Sequence, residues 1–373
     1  MIVSTHASPD RLTVHWNDGA TTEYPWLWLR DHAHDPATIH PDTQQRQLHT
    51  AGVDPTLRAS SFEVTADDVA ITWVGGGTST LPVRFLHAHR SPRPASAGLA
   101  STSSDVVPWD AESIRATWPT IGFEQVIDPD EGDDGVSEWL DLVARFGFAF
   151  VTGTPPTPDA TERLLRRVGY VRETIFGGMW DFQADLSKAD TAYTNLELLP
   201  HTDGTYSHDA PGLQLLHCLA FDGTGGESTM VDGYRIASEL RATRPDAYDV
   251  LSTVAVPGQY IGDGSHLMAA RPVLRHDAAG SLVQVSFNNA DRAPFLLAHD
   301  EMVAFYDALR AFESLANDHR LQWRRVNPPG DALLFDNWRV LHGRAAYTGH
   351  RHLCGGYVNR EDYESRRRVV AVR

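Results

Sequence analysis

The chain has 373 residues, with 32 Lys+Arg against 49 Asp+Glu and a net charge of −17. At 42% hydrophobic residues it carries enough apolar material to offset chain entropy, which excludes a disordered chain. No apolar run reaches the roughly 18 residues of a membrane helix, and the acidic balance argues against a nucleic-acid binder, so neither membrane nor nucleic acid is an expected partner. Two cysteines, Cys218 and Cys354, cannot build a disulfide framework, and Met1–Trp16 has the pattern of neither a signal nor a transit peptide. A cytoplasmic location is the expectation.

In chain order, Arg11–Trp16 (RLTVHW) and Asp68–Val74 (DVAITWV) are β-branched and apolar. Asn17-Asp18-Gly19 and Gly75-Gly76-Gly77 form the turns after them. A small β-rich domain is predicted over 1–92, and no internal repeat stands out. The stretch Ser91–Asp110 (SPRPASAGLASTSSDVVPWD) reads as a linker, placed at 93–110. Over 111–373 the pattern mixes. Val136, Trp139, Leu140, Leu142, Val143 and Phe146 recur at helical spacing, and Phe148–Val151 follows as a strand. Thr157 caps a helix with Pro158 at its first position. Met302, Phe305, Tyr306, Leu309, Phe312 and Leu315 predict another helix. Strands are predicted at Leu213–Phe221, Leu282–Asn288, Ala332–Asp336 and Arg351–Val358. Many short strands with a few irregularly placed helices predict a mainly β fold, a sandwich or jelly roll decorated by helices.

His201-Thr202-Asp203 places an imidazole and a carboxylate on one side of an extended segment. The spacing alone says little, since His40-Pro41-Asp42 shares it. His342, followed by Gly343, ends a second apolar strand. Two His and one Asp leave three octahedral positions open, as in non-haem Fe(II) oxygenases. Arg351 begins the next strand, where a guanidinium can hold a dicarboxylate bidentately.

Six stretches carry a resemblance: Trp26–Asp54, Arg172–Tyr206, Pro211–Cys218, Gly223–Tyr234, Phe287–Arg292 and Asp336–Asp362 (DNWRVLHGRAAYTGHRHLCGGYVNRED). Across both domains the chain resembles the 2-oxoglutarate-dependent dioxygenases of carnitine biosynthesis. It looks closer to the trimethyllysine branch than to the γ-butyrobetaine branch, through Ala189–Tyr193 and the Thr348–Arg351 spacing. The resemblance implies a double-stranded β-helix; His201, Asp203 and His342 as iron ligands; Arg351 on the distal carboxylate of 2-oxoglutarate; and Ser228 as an assisting hydroxyl. The cosubstrates implied are 2-oxoglutarate and O2, and the assembly expected is a homodimer. The leading function is hydroxylation of N6-trimethyllysine at C3. The alternatives are γ-butyrobetaine or another quaternary-ammonium or amino-acid substrate, and a non-enzymatic methyl-lysine binder. Asp203 disfavours a halogenase, which lacks that carboxylate.

A quaternary ammonium cannot donate a hydrogen bond, so aromatic faces are expected around it. Phe176, Trp180, Tyr193 and Tyr357 match the family's cage, with Phe176 where relatives commonly carry Tyr. Asp190 stands where the butyrobetaine branch has an amide; its charge suits an α-ammonium and opposes a bare carboxylate, or else caps a turn. Asn288 would take the substrate carboxylate. One departure concerns zinc. Ala33, Asp35 and Thr38 fill the family's cysteine positions, and Thr80 falls near its distal His. No structural zinc is expected. His32, His34, Asp35 and His40 are read as a solvated polar loop rather than a second metal site.

Overall fold

The computed structural model describes residues 1–90, 106–128, 133–182, 195–262 and 264–371. Two compact units divide the chain, Met1–Ala95 and Ser96–Arg373.

In the first unit, three antiparallel strands (Ile2–Ala7, Arg11–Trp16, Thr21–Pro25) lead into the short helix Trp26–Asp31. A second set (Ala59–Val64, Asp68–Trp73, Thr78–Pro82) leads into Val83–Ala88. The two sets repeat residue by residue. Arg11 pairs with Pro25 as Asp68 does with Pro82, and the register shift at Ile2/Ser4 recurs at Ala59/Ser61. The Trp16 indole donates to Thr22 Oγ1 (3.0 Å), and its counterpart Trp73 donates to Ser79 Oγ (2.9 Å). His32 Nδ1 donates to the Trp28 carbonyl (2.9 Å) and His89 Nδ1 to that of Phe85 (2.8 Å). Trp28 stacks on Phe85 at 5.8 Å and meets His89, while Phe85 meets His32. These reciprocal contacts are those of a two-fold axis. The small domain is therefore an internal repeat, contrary to the sequence expectation. Eight matched positions are identical (Ser4/Ser61, Asp10/Asp67, Trp16/Trp73, Gly19/Gly76, Thr21/Thr78, Pro25/Pro82, Leu29/Leu86, His32/His89), and the rest of the likeness lies in burial.

Of the positions that the resemblance matched to cysteines, Asp35 and Thr38 belong to a chain of hydrogen bonds. Arg30 Nη1 donates to Thr38 Oγ1, whose hydroxyl donates to Asp35 Oδ1 (2.9 Å). Ala33 is fully buried, and the backbone N–H of His34 donates to the Thr80 carbonyl. A methyl group and a hydroxyl already engaged do not fit a zinc site. His32 and His34 lie against Trp28 and Phe85, and His40 Nδ1 accepts from the backbone N–H of Asp42 and Thr43. Protein purified without added zinc is expected to carry well under one zinc per chain, with an unchanged melting curve under chelator. One tightly held zinc per chain, measured by metal analysis, would overturn this reading.

In the second unit two sheets face each other. The larger runs in the order Met179–Phe182, Tyr347–Val358, Leu213–Gly225, Ala332–Asp336, Phe148–Thr152, Thr120–Gly122. The smaller runs Leu198–His201, Val340–Arg344, Ser228–Asp232, Gln322–Arg325. Strand alternation explains the layers. Ala149, Val151, Leu213, Leu215 and Leu334 point outward to the helices Asp134–Phe146, Pro158–Val168 and Arg360–Val370. Val231 and Leu341 point outward to Gly233–Thr243, Pro245–Thr253 and His299–Ala316. Phe148, Phe150, Met230, Leu333, Phe335 and Val340 fill one end of the space between the sheets, with Trp323. The other end is open and polar. This is the double-stranded β-helix that the resemblance implied, and it agrees with the jelly roll expected from the strand pattern.

Two details refine the expectations. Trp109 is 1% exposed and donates to the Phe146 carbonyl, and Asp110 caps the helix Ala111–Thr117. The end of the predicted linker thus belongs to the second unit, because a tryptophan within a Ser/Pro-rich run found a core. The strand expected over Leu282–Asn288 ends at Val285. Buried Arg339 grips Asp232 through two bonds, Nε to Oδ1 (3.0 Å) and Nη2 to Oδ2 (2.7 Å), just before the strand that carries His342. No helix among the described residues is long and apolar enough to cross a membrane.

Candidate active site

His201 ends one strand of the smaller sheet and lies directly across from His342 on the next. Asp203 follows beyond the strand, held by Asn337: its N–H donates to Asn337 Oδ1 (2.8 Å), and Asn337 Nδ2 donates to its carbonyl (3.0 Å). Thr202, between the two, is tied to the Phe287 backbone. These bonds aim three side chains at one point, and their donor atoms all lie within 4.8 Å of one another. Among the described residues this is the one such convergence of His, Cys, Asp and Glu.

One carboxylate sets the electrostatics of the site. His201 Nδ1 donates to the Leu199 carbonyl (2.8 Å), so the neutral ring carries its lone pair on Nε2, which faces Asp203 Oδ1 at 3.4 Å. His342 Nε2 faces Asp203 Oδ2 at 3.6 Å, and its Nδ1 is buried with no hydrogen-bond partner among the described residues. Burial pushes His342 down to about 4, against the opposing pull of Asp203, so the ring is neutral near pH 7. Burial also opposes charge on His201, but the Asp203 hydrogen bond and charge outweigh it and the shift is upward. Asp203 stays ionised: burial would raise it, yet His342, His201 and the Tyr357 hydroxyl hold it below the usual carboxylate range. A cation bound among them would take the place of any proton on the ring nitrogens that face Asp203, since a ligating imidazole presents its lone pair. The two-nitrogen, one-oxygen donor set fits Fe(II) and leaves positions open.

A cavity of about 390 Å³ opens from this point between the sheets. Phe176, Trp180, Tyr357, Asn288, Ser228 and Arg351 all line it together with the triad. Trp180 sits opposite Gly355 on the adjacent strand; a Cβ there would come within 3.3 Å of the indole and 2.3 Å of the Leu215 carbonyl, so glycine makes room for the ring. Trp180 and Tyr357 meet nearly at right angles, 4.1 Å apart. The Tyr357 hydroxyl also donates to Asp203 Oδ2 at 2.6 Å, a tie to the triad that the cage reading did not include. Asn288 donates one N–H to Asp291 Oδ2 (2.8 Å) while its oxygen accepts from the Ala290 N–H, which fixes the orientation of the amide. Asp190 and Tyr193 lie outside the described residues.

Sequence reasoning missed several lining residues. Tyr260, from the hairpin Val256–Arg271, meets Phe176 edge to face at 5.4 Å and Tyr206 at 5.4 Å. Tyr206 stood inside a matched stretch without a role, and Tyr260 stood in none. Gln214 faces the cavity with a buried Oε1 that has no partner among the described residues. Arg351 is pushed down to about 10, first by burial and then by the like charge of Arg344. Ser228 accepts from Asn327 Nδ2 (3.2 Å), which leaves its own proton to donate.

Comparison with known proteins agrees with this geometry. Residues 112–357 match the taurine catabolism dioxygenase TauD, TfdA family, and residues 3–87 match the gamma-butyrobetaine hydroxylase-like N-terminal family. The chain is 32% identical to the trimethyllysine dioxygenase of Meyerozyma guilliermondii, covering 100% of this chain and 96% of that one. The mitochondrial trimethyllysine dioxygenase of Homo sapiens is 31% identical (98% and 90% covered), and the gamma-butyrobetaine dioxygenase of Pongo abelii 30% (97% and 95%). A crystal structure of a putative alpha-ketoglutarate-dependent taurine dioxygenase from Burkholderia xenovorans shares the fold at a TM-score of 0.50, with 14% identity over 68% of this chain and 92% of that one. The chain belongs to the TauD, TfdA dioxygenase family, within the group formed by trimethyllysine dioxygenases, and is an Fe(II)- and 2-oxoglutarate-dependent dioxygenase.

Proposed function

We propose that the protein hydroxylates N6-trimethyllysine at C3, converting 2-oxoglutarate to succinate and CO2. The observation that carries this is the joining of aromatic faces and the His201–Asp203–His342 triad in one cavity. Iron(II) held there with 2-oxoglutarate supplies the O2 activation that C–H hydroxylation needs. The chain's part is placement. His201, Asp203 and His342 hold the ion, and Arg351 with Ser228 grips the distal carboxylate of 2-oxoglutarate. Trp180, Phe176 and Tyr357, with Tyr260 and Tyr206, offer π faces to the trimethylammonium. Asn288 turns its second N–H to the substrate carboxylate, and Leu216 and Leu353 keep water from the reacting carbon. γ-Butyrobetaine is the second reading, since Asn288 serves a bare carboxylate equally well. Succinate release screened against trimethyllysine, γ-butyrobetaine and lysine separates them: trimethyllysine is expected to give the highest kcat/KM, and a higher value for either other substrate would displace it.

Trp180→Ala is expected to raise the KM for the trimethylated substrate about tenfold or more, roughly 1.4 kcal/mol of lost cation–π contact and packing. A neutral analogue ending in tert-butyl should bind the wild-type enzyme less well than the cation. Equal binding of the two in a competition assay would reduce these rings to ordinary core.

A further inference from the structure

Arg344 is buried, lines the same cavity as the triad, and has no role in any reading above. Its position follows from the strand. Alternation puts residues two apart on one face, so Arg344 stands beside His342, one pleat further along Val340–Arg344. The register sets Arg344 directly across from Ser228, on the neighbouring strand of the smaller sheet. Arg351 enters the cavity from the opposite, larger sheet. The two guanidiniums flank one ring: Arg344 lies 5.0 Å from the centroid of Tyr347, and Arg351 lies 5.7 Å from it. Arg344 Nη2 donates to the Leu196 carbonyl, which steadies one edge of the fork.

We propose that Arg344 is a second cation for the distal carboxylate of 2-oxoglutarate, so that the carboxylate is held between Arg344 and Arg351 with the Ser228 hydroxyl beside them. This rests on the placement of Arg351 at that carboxylate. A carboxylate offers about four lone-pair sites, two more than one bidentate arginine uses, so it can also accept one N–H from Arg344 and the Ser228 hydroxyl. Two guanidiniums brought together in a buried pocket repel, and a bound anion relieves that repulsion; the binding free energy thus includes what the empty pocket stores. The consequence is specificity. The oxo-acid end of the cosubstrate meets the metal whatever the far end is, whereas the pair of arginines selects a dicarboxylate.

The test measures Kd by calorimetric titration into full-length, Mn(II)-loaded protein, with no turnover required. The two ligands are 2-oxoglutarate and 2-oxopentanoate, which keeps the oxo-acid end and replaces the distal carboxylate by a methyl group. Arg344→Met is expected to weaken 2-oxoglutarate at least tenfold and 2-oxopentanoate less than twofold. A residue that merely packs the cavity would weaken both alike. Equal losses for the two ligands, or an unchanged Kd for 2-oxoglutarate, would overturn the proposal. If Arg344→Met melts well below wild type, Arg344→Gln decides by the same ratio. Arg351→Met in parallel keeps the two ideas apart: loss of discrimination there but not at position 344 leaves Arg351 in place and removes Arg344, whereas no loss at position 351 removes the assumption itself.

Discussion

Asp203→Ala is expected to abolish turnover, by more than about a thousandfold, and His201→Ala and His342→Ala are expected to do the same. Each removes one of three protein donors converging within 4.8 Å, and no other His, Cys, Asp or Glu among the described residues joins that cluster. Asp203 has a further consequence: with its carboxylate gone, the Tyr357 hydroxyl loses its acceptor at 2.6 Å and the two imidazoles lose their counter-charge. Metal binding should fall with turnover, because the neutral donors that remain neutralise none of the ion's charge. The paired measurements are iron bound per chain and succinate formed. Any of the three variants within tenfold of wild type in turnover would contradict the assignment.

Arg351→Lys should raise the apparent KM for 2-oxoglutarate by about thirtyfold or more while leaving that for the carbon substrate within a few-fold. A lysine keeps the charge but gives up the planar fork and the contact with Tyr347. It is also less suited to a buried site, since burial already depresses the arginine to about 10 and an ammonium begins from a lower value and is more strongly hydrated. Parallel rises in both constants would move Arg351 away from the cosubstrate.

Much of the site was legible because its parts follow one another along the chain. His201 and Asp203 sit two residues apart where a strand gives way to a loop, and His342 and Arg351 sit on consecutive strands. The helices around Val143 and Phe312 were legible because one face of each is buried in a single cluster. Tyr260, Gln214 and Arg344 were not legible for the opposite reason. Each faces the cavity only because its strand has a particular partner and register, and register is a tertiary property that alternation alone leaves open. Asn337 lay inside the most telling motif, yet its task is to hold the backbone of Asp203 from a strand far away in sequence, which no local pattern encodes. The repeat in the small domain escaped for a related reason: its identities are scattered singly along the two halves, whereas burial is kept where the residues differ, as in Leu12 with Val69 and Val14 with Ile71.

That two-fold arrangement bears on ancestry. Each half presents an aromatic edge, Trp28 with His32 or Phe85 with His89, that the other half covers. A half-length polypeptide would leave this edge open to water and could close it only against another copy of itself. Tandem duplication of such a gene turns an association that depends on concentration into an intramolecular one, with an effective concentration that linker length alone can set in the millimolar range. Once fused, the halves were free to diverge, so Trp26 could come to stand opposite Val83, and Tyr24 opposite Leu81. A module closed by its own other half needs no metal clamp to hold the two together.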